Sequence, residues 1–121
     1  MRKLIGRMAV SIMLFMAQAA SAGPFEDGQA AYNRGDYATA LKLMRPLAAQ
    51  GDARAQSSLG FMYDNGRGVA QDYEEAVKWF RLAAAQGDAR AQSSLGFMYE
   101  NGQGVAQDYK EAVKWFRLAA P

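Results

Sequence analysis

Residues 51–84 recur as residues 87–120 with 31 of 34 positions unchanged, a register of 36 residues that carries LGFMYDNGRGVAQDYEEAVKWFRLAA onto LGFMYENGQGVAQDYKEAVKWFRLAA. The only changes are Asp64 to Glu100, Arg67 to Gln103 and Glu74 to Lys110, all polar. A period of this length marks an array in which each unit is one supersecondary element that cannot bury its apolar face alone and stacks on its neighbour. A residue in the duplicated stretch therefore has to be read first as part of a packing unit and only then as part of a site.

Within the unit, Asp52 is placed to cap a helix from Ala53, along which Ala55, Leu59, Met62 and Tyr63 recur at spacings of three and four until Gly66. A second helix opens on the D-x-x-E capping box Asp72-Tyr73-Glu74-Glu75, repeated at Asp108 and Glu111, with the glutamate expected to answer back to the cap. Tyr73, Ala76, Val77, Phe80, Ala83 and Ala84 then share one face, Glu74, Lys78, Arg81 and Gln86 the other, and Gly87 ends the helix. The intervening NGRGVAQ reads as a reversing turn with Val69 as an apolar latch. Its two glycines also admit a phosphate cradle, but no strand precedes them, no GK[ST] follows, and the loop recurs as NGQGVAQ without its arginine. Gly60 and Gly96 fall inside helices at a cost of about 1 kcal/mol each, which predicts close helix approach against Ala76, Ala83 or Ala84 and their equivalents.

The preceding segment repeats the plan loosely. GQAAYNRGDYATALKLMRPLAAQG sets Tyr32 against Tyr63, Tyr37 against Tyr73, Ala40 against Ala76 and Met44 against Phe80, with a shorter loop. The fold predicted is all-α: an α-α superhelix (solenoid) of three helical hairpins, pairing 25–33 with 37–49, 53–65 with 72–86, and 89–101 with 108–120. Residues 23–50 are a degenerate first repeat, 51–86 a full repeat and 87–121 a full repeat truncated at its C-terminus. Pro46 is expected to kink or shorten its helix.

Residues 1–22 read as a signal peptide: MRKLIGR is basic, MAVSIMLFMAQAA is apolar, and Ala20-Ser21-Ala22 is a small-x-small cleavage site. The competing reading, a membrane anchor, has an apolar run shorter than the roughly 20 residues a spanning helix needs. A periplasmic or secreted location follows, without stable membrane insertion after signal cleavage. Residues 23–121 then hold 11 Lys and Arg against 12 Asp and Glu, alternating in sign along the repeats, which argues against a nucleic-acid partner. With no cysteine there is no disulfide and no lipid-carrying cysteine, so stability must come from packing.

The pattern Ala55, Leu59-Gly60, Tyr63, Gly66-x-Gly68-Val69, Asp72-Tyr73, Ala76, Trp79, Ala83-Ala84, Gly87, matched again from Ala91 to Ala120, resembles the Sel-one-like repeat, a relative of the tetratricopeptide repeat. The first unit is closer to the plain tetratricopeptide form. The resemblance implies a right-handed array and an adaptor or scaffold function, with first helices lining a concave groove for a peptide or protein segment. A cysteine-rich exported branch of the family has been associated with penicillin-like compounds; without a cysteine, this chain departs from it.

Catalysis lacks its usual groups, since there is no His and no Cys. Ser57-Ser58 and Ser93-Ser94 have only lysines as candidate bases, and Asp72 with Glu75 is explained as a cap. The reading is therefore a protein–protein interaction or adaptor module of the bacterial envelope or secreted space, not an enzyme and with no cofactor or metal. A structural spacer, or a cell-wall or lactam hydrolase, is the alternative. Taking Ala55, Leu59 and Tyr63 as the packed side of the first helix puts Arg54, Ser57, Ser58, Phe61 and Asn65 toward the opposite face, with Arg90, Ser93, Ser94, Phe97 and Asn101 one repeat on. The two phenylalanines either pack against the neighbouring repeat or face solvent as anchors, while the arginines and asparagines form a polar ladder suited to an extended segment. A second candidate surface is the end of the array, where Tyr109, Trp115 and Phe116 are expected to be partly bare. Such a patch serves a partner, makes a homo-oligomer through the C-terminal end, or is a frayed last helix.

Overall fold

A computed structural model describes residues 22–121, so the signal-peptide reading lies outside the described residues. Six helices follow in order: α1 (Pro24–Asn33), α2 (Tyr37–Ala49), α3 (Ala53–Asn65), α4 (Tyr73–Ala85), α5 (Ala89–Asn101) and α6 (Tyr109–Ala119). They pair as three tight hairpins, α1–α2, α3–α4 and α5–α6. Each hairpin also packs its second helix on the first helix of the next, and α3 and α5 touch directly. Among the described residues there is no strand, and no helix is long and apolar enough to cross a membrane.

Five aspartates start five helices. Asp36, Asp52, Asp72, Asp88 and Asp108 each accept a backbone N–H from the first turn of α2 to α6, an arrangement whose loss typically costs about 1 kcal/mol per cap. The expected reciprocal bond from Glu75 is not made, because the Asp72 N–H is already donated to the Tyr63 carbonyl at 2.9 Å. The Glu75 carboxylate lies 3.6 Å from Lys78 instead. At the far end of α3, Gly66 takes φ 65°, ψ 42°, the left-handed conformation that lets the chain leave the helix without a Cβ clash.

The core runs through the hairpins and across the junctions between them. One buried cluster joins Ala31 of α1, Ala40, Met44 and Ala48 of α2, and Ala55, Leu59 and Met62 of α3. The next joins Ala76, Val77, Phe80, Ala83 and Ala84 of α4 to Ala91, Leu95 and Met98 of α5. Small residues at the crossings let the backbones approach, and the buried side-chain amides of Gln56 and Gln92 tie successive units by donating to the Ala48 and Ala84 carbonyls at 3.1 Å.

Two expectations need correcting. Gly60 does not face alanines: a Cβ there would lie 2.5 Å from two ring carbons of Phe80, so the glycine makes room for an aromatic ring, and Gly96 does the same for Phe116. Pro46 does not shorten its helix, since α2 spans 13 residues, as α4 does. Pro46 is exposed and stands in the last turn, where it removes one backbone N–H donor without ending the helix.

Candidate functional site

The first helices α1, α3 and α5 contribute to one surface carrying two adjoining clefts. The first, about 140 Å³, is lined by Gln29 and Tyr32 of α1, Ala40 and Met44 of α2, Ser58, Phe61 and Met62 of α3, and Arg90 of α5. The second, more open and about 610 Å³, is lined by Phe61 and Asp64 of α3, Ala89, Arg90, Ser93, Ser94, Phe97 and Met98 of α5, with Gln103 and Ala119. Phe61 and Arg90 belong to both. The two clefts are thus one groove across three repeats, with that pair at its waist.

Phe61 meets Phe80 edge-on at 5.0 Å between centroids and carries the Arg90 guanidinium 5.0 Å above its ring. One edge of Phe61 is thus packed on Phe80 of its own hairpin, and the ring also lies at the groove beneath Arg90 of the next repeat. Phe97 makes the same edge contact with Phe116, also at 5.0 Å, but is 56% exposed.

The arginine ladder is not uniform. Arg54 donates to Asp52 at 3.1 Å, lies 3.7 Å from Glu26 and sits 4.1 Å over the Phe25 ring. The hydrogen bond from Arg54 holds the Asp52 carboxyl below the usual carboxylate range. Arg90, by contrast, has no carboxylate within ion-pair distance among the described residues. Asn65 and Asn101 donate to the carbonyls of Phe61 and Phe97 at 2.9 Å, which ties each side chain to its own helix end.

Of the serines, Ser58 donates to the Arg54 carbonyl at 3.0 Å, and Ser93 and Ser94 line the second cleft. Ser57 is 2% exposed, its Oγ without a hydrogen-bond partner. It is not on the open face, contrary to expectation, because α3 lies in mid-array and is covered from more sides than one packing stripe implies; its counterpart Ser93 is only partly covered. Gln29, Tyr32, Asp64 and Gln103 were missed. All four sit in the degenerate unit or differ between repeats, and so carried no repeated signal. Burial alone raises the Asp64 carboxyl above its ordinary range.

On α6, Tyr109 is 64% and Val113 46% exposed, whereas Val77, the Val113 counterpart in α4, is 2% exposed under α5. Trp115 and Phe116 are only partly exposed, and the Trp115 Nε1 is buried without a partner. Among the described residues no group of three or more His, Cys, Asp or Glu is placed to hold a metal ion.

Comparison with known proteins bears on the whole chain. The Sel1 repeat family matches three times, over residues 16–52, 53–88 and 89–120, the first match beginning ahead of the described residues. A Sel1 repeat protein of Oxalobacter formigenes is 38% identical, with a TM-score of 0.76 over 82% of this chain and 39% of that one. A protective antigen of uropathogenic Escherichia coli displaying an SLR fold is 41% identical, with a TM-score of 0.76 over 90% of this chain and 24% of that one. Cysteine-rich protein B of Helicobacter pylori is 26% identical, with a TM-score of 0.63 over 66% of this chain and 60% of that one. The chain thus spans well under half the length of the first two. No curated protein matches it significantly. The scaffold is of the kind that serves protein–protein interaction and adaptor roles, and with its three matched repeats the chain belongs to the Sel1 repeat family.

Proposed function

We propose that the groove along α1, α3 and α5 binds an extended segment of another protein, in the bacterial envelope or outside the cell. The observation that carries this reading is the continuity of the two clefts through Phe61 and Arg90. An apolar trough with a few polar points suits a peptide, whose side chains fill the hollows while its backbone groups find the Ser93, Ser94 and Gln103 side chains. The location rests on the basic, then apolar, then small-x-small order of residues 1–22. A displayed library of random peptides, panned on the chain, tests the groove. Phe97→Ser, at a side chain already 56% exposed, is expected to weaken the selected peptides about tenfold without lowering the melting temperature. Peptides indifferent to Phe97→Ser and Phe61→Ser remove the groove from consideration.

A second reading concerns α6. Its outward residues repeat those of α4, which the α5 residues Ala91, Leu95 and Met98 cover in this same molecule, so an α5-like helix of another molecule has the shape to dock there. Val113 is the better probe, because Trp115 packs against the second core cluster. Sedimentation over a concentration series is expected to show a rising mass that Val113→Glu abolishes. A single mass into the high micromolar range, unchanged by Val113→Glu, sinks this reading.

A further inference from the structure

Among the described residues the groove arginine, Arg90, has no carboxylate within ion-pair distance, and its repeat counterpart serves as an internal control. Arg54 and Arg90 occupy the same place in two nearly identical sequences, each just after its capping aspartate. Arg54 is turned back on Asp52 and reached by Glu26. Asp88 accepts only the Ala91 N–H, so the Arg90 guanidinium is free to lie over Phe61 and into the groove. The difference comes from the neighbour: both arginines lie over a ring, Arg54 over Phe25 and Arg90 over Phe61, but the degenerate first unit also brings Glu26 to Arg54. Arg90 is the only charged residue lining the first cleft, and in the second the only other is Asp64.

We propose, resting on the groove reading above, that Arg90 selects the bound segment by pairing with a carboxylate of an Asp or Glu side chain flanked by apolar residues. A guanidinium has five N–H donors and no acceptor, and its fork matches a carboxylate with two parallel hydrogen bonds. The contact with the Phe61 ring, 5.0 Å from its centroid, holds the guanidinium at the groove, which lowers the ordering cost of binding. Phe61 and Phe97 border the guanidinium with apolar surface, which accounts for the apolar flanks. A phosphorylated segment fits less well. It brings close to two negative charges to a single guanidinium in a groove that already holds Asp64.

The test is selection from a displayed random peptide library on three forms of the chain: unchanged, Arg90→Gln and Arg54→Gln. Peptides selected by the unchanged chain are expected to share one acidic position between apolar ones. Replacing that residue by its amide should weaken binding about tenfold on the unchanged chain and on Arg54→Gln, and not at all on Arg90→Gln. Salt should weaken the acidic peptide and spare the amide. Selected peptides without an acidic preference, or an acidic preference that survives Arg90→Gln, overturn the assignment while leaving the groove reading in place, provided that Phe97→Ser still weakens them. Peptides indifferent to Phe97→Ser as well, or no peptide selected at all, overturn both.

Discussion

Phe80→Ala lowers the stability of the chain by about 3–5 kcal/mol, whereas the same change one repeat later, Phe116→Ala, costs less than about half of that. Phe80 is fully buried. Its ring fills the space opened by Gly60 on α3, takes the edge of Phe61 and belongs to the cluster that joins α4 to α5. Truncation there removes apolar contact from both sides of a repeat junction and leaves a cavity that helices fixed by their neighbours cannot collapse into. Phe116 makes the same contacts with Gly96 and Phe97, yet part of its surface is already in water. A domain of this size has about 5–15 kcal/mol in total, so the Phe80 variant stands near unfolding at room temperature. Urea titrations of both variants decide the point; equal shifts in midpoint would mean that the junction between α4 and α5 is not where the stability lies.

The contrast shows what a repeated sequence makes legible and what it conceals. The limits of α2 to α6 could be read because each is set locally, by a capping aspartate at one end and, for α3 and α5, a left-handed glycine at the other. The buried stripes could be read because Ala55, Leu59 and Met62 recur with helical spacing. What the sequence could not show is which partner an identical residue meets. Arg54 and Arg90 look alike, and one is consumed by Glu26 and Asp52 while the other is left to the groove. Val77 and Val113 look alike, and one lies under α5 while the other is 46% exposed. In an array, environment is set by the adjoining unit, so periodicity fixes the frame and only the neighbours fix the function.

The same frame explains the Gly60 conflict. Helix propensity disfavours glycine there, and the cost is offset by the Phe80 ring seated against it. The reason escaped the sequence reading because the spacing of the small residues pointed to alanine. The three first helices offer a graded experiment. Beside Gly28 of α1, an added Cβ would meet the tip of the flexible Met44 side chain at 2.9 Å. That tip can swing aside, so Gly28→Ala is expected to be neutral or, through helix propensity, stabilising by up to about 1 kcal/mol. Beside Gly96 it would meet Phe116, whose partial exposure leaves room to yield. Beside Gly60 it would meet a fully buried ring, and Gly60→Leu is expected to cost about 3 kcal/mol, with Gly96→Leu well below it. Combining Gly60→Leu with Phe80→Ala places the new side chain in the space the ring vacated. The double variant should therefore be more stable than the sum of the two losses allows, by a coupling of about 1–3 kcal/mol. Strict additivity in thermal or urea unfolding would show that Gly60 and Phe80 do not share that space, and that the glycine serves some other end.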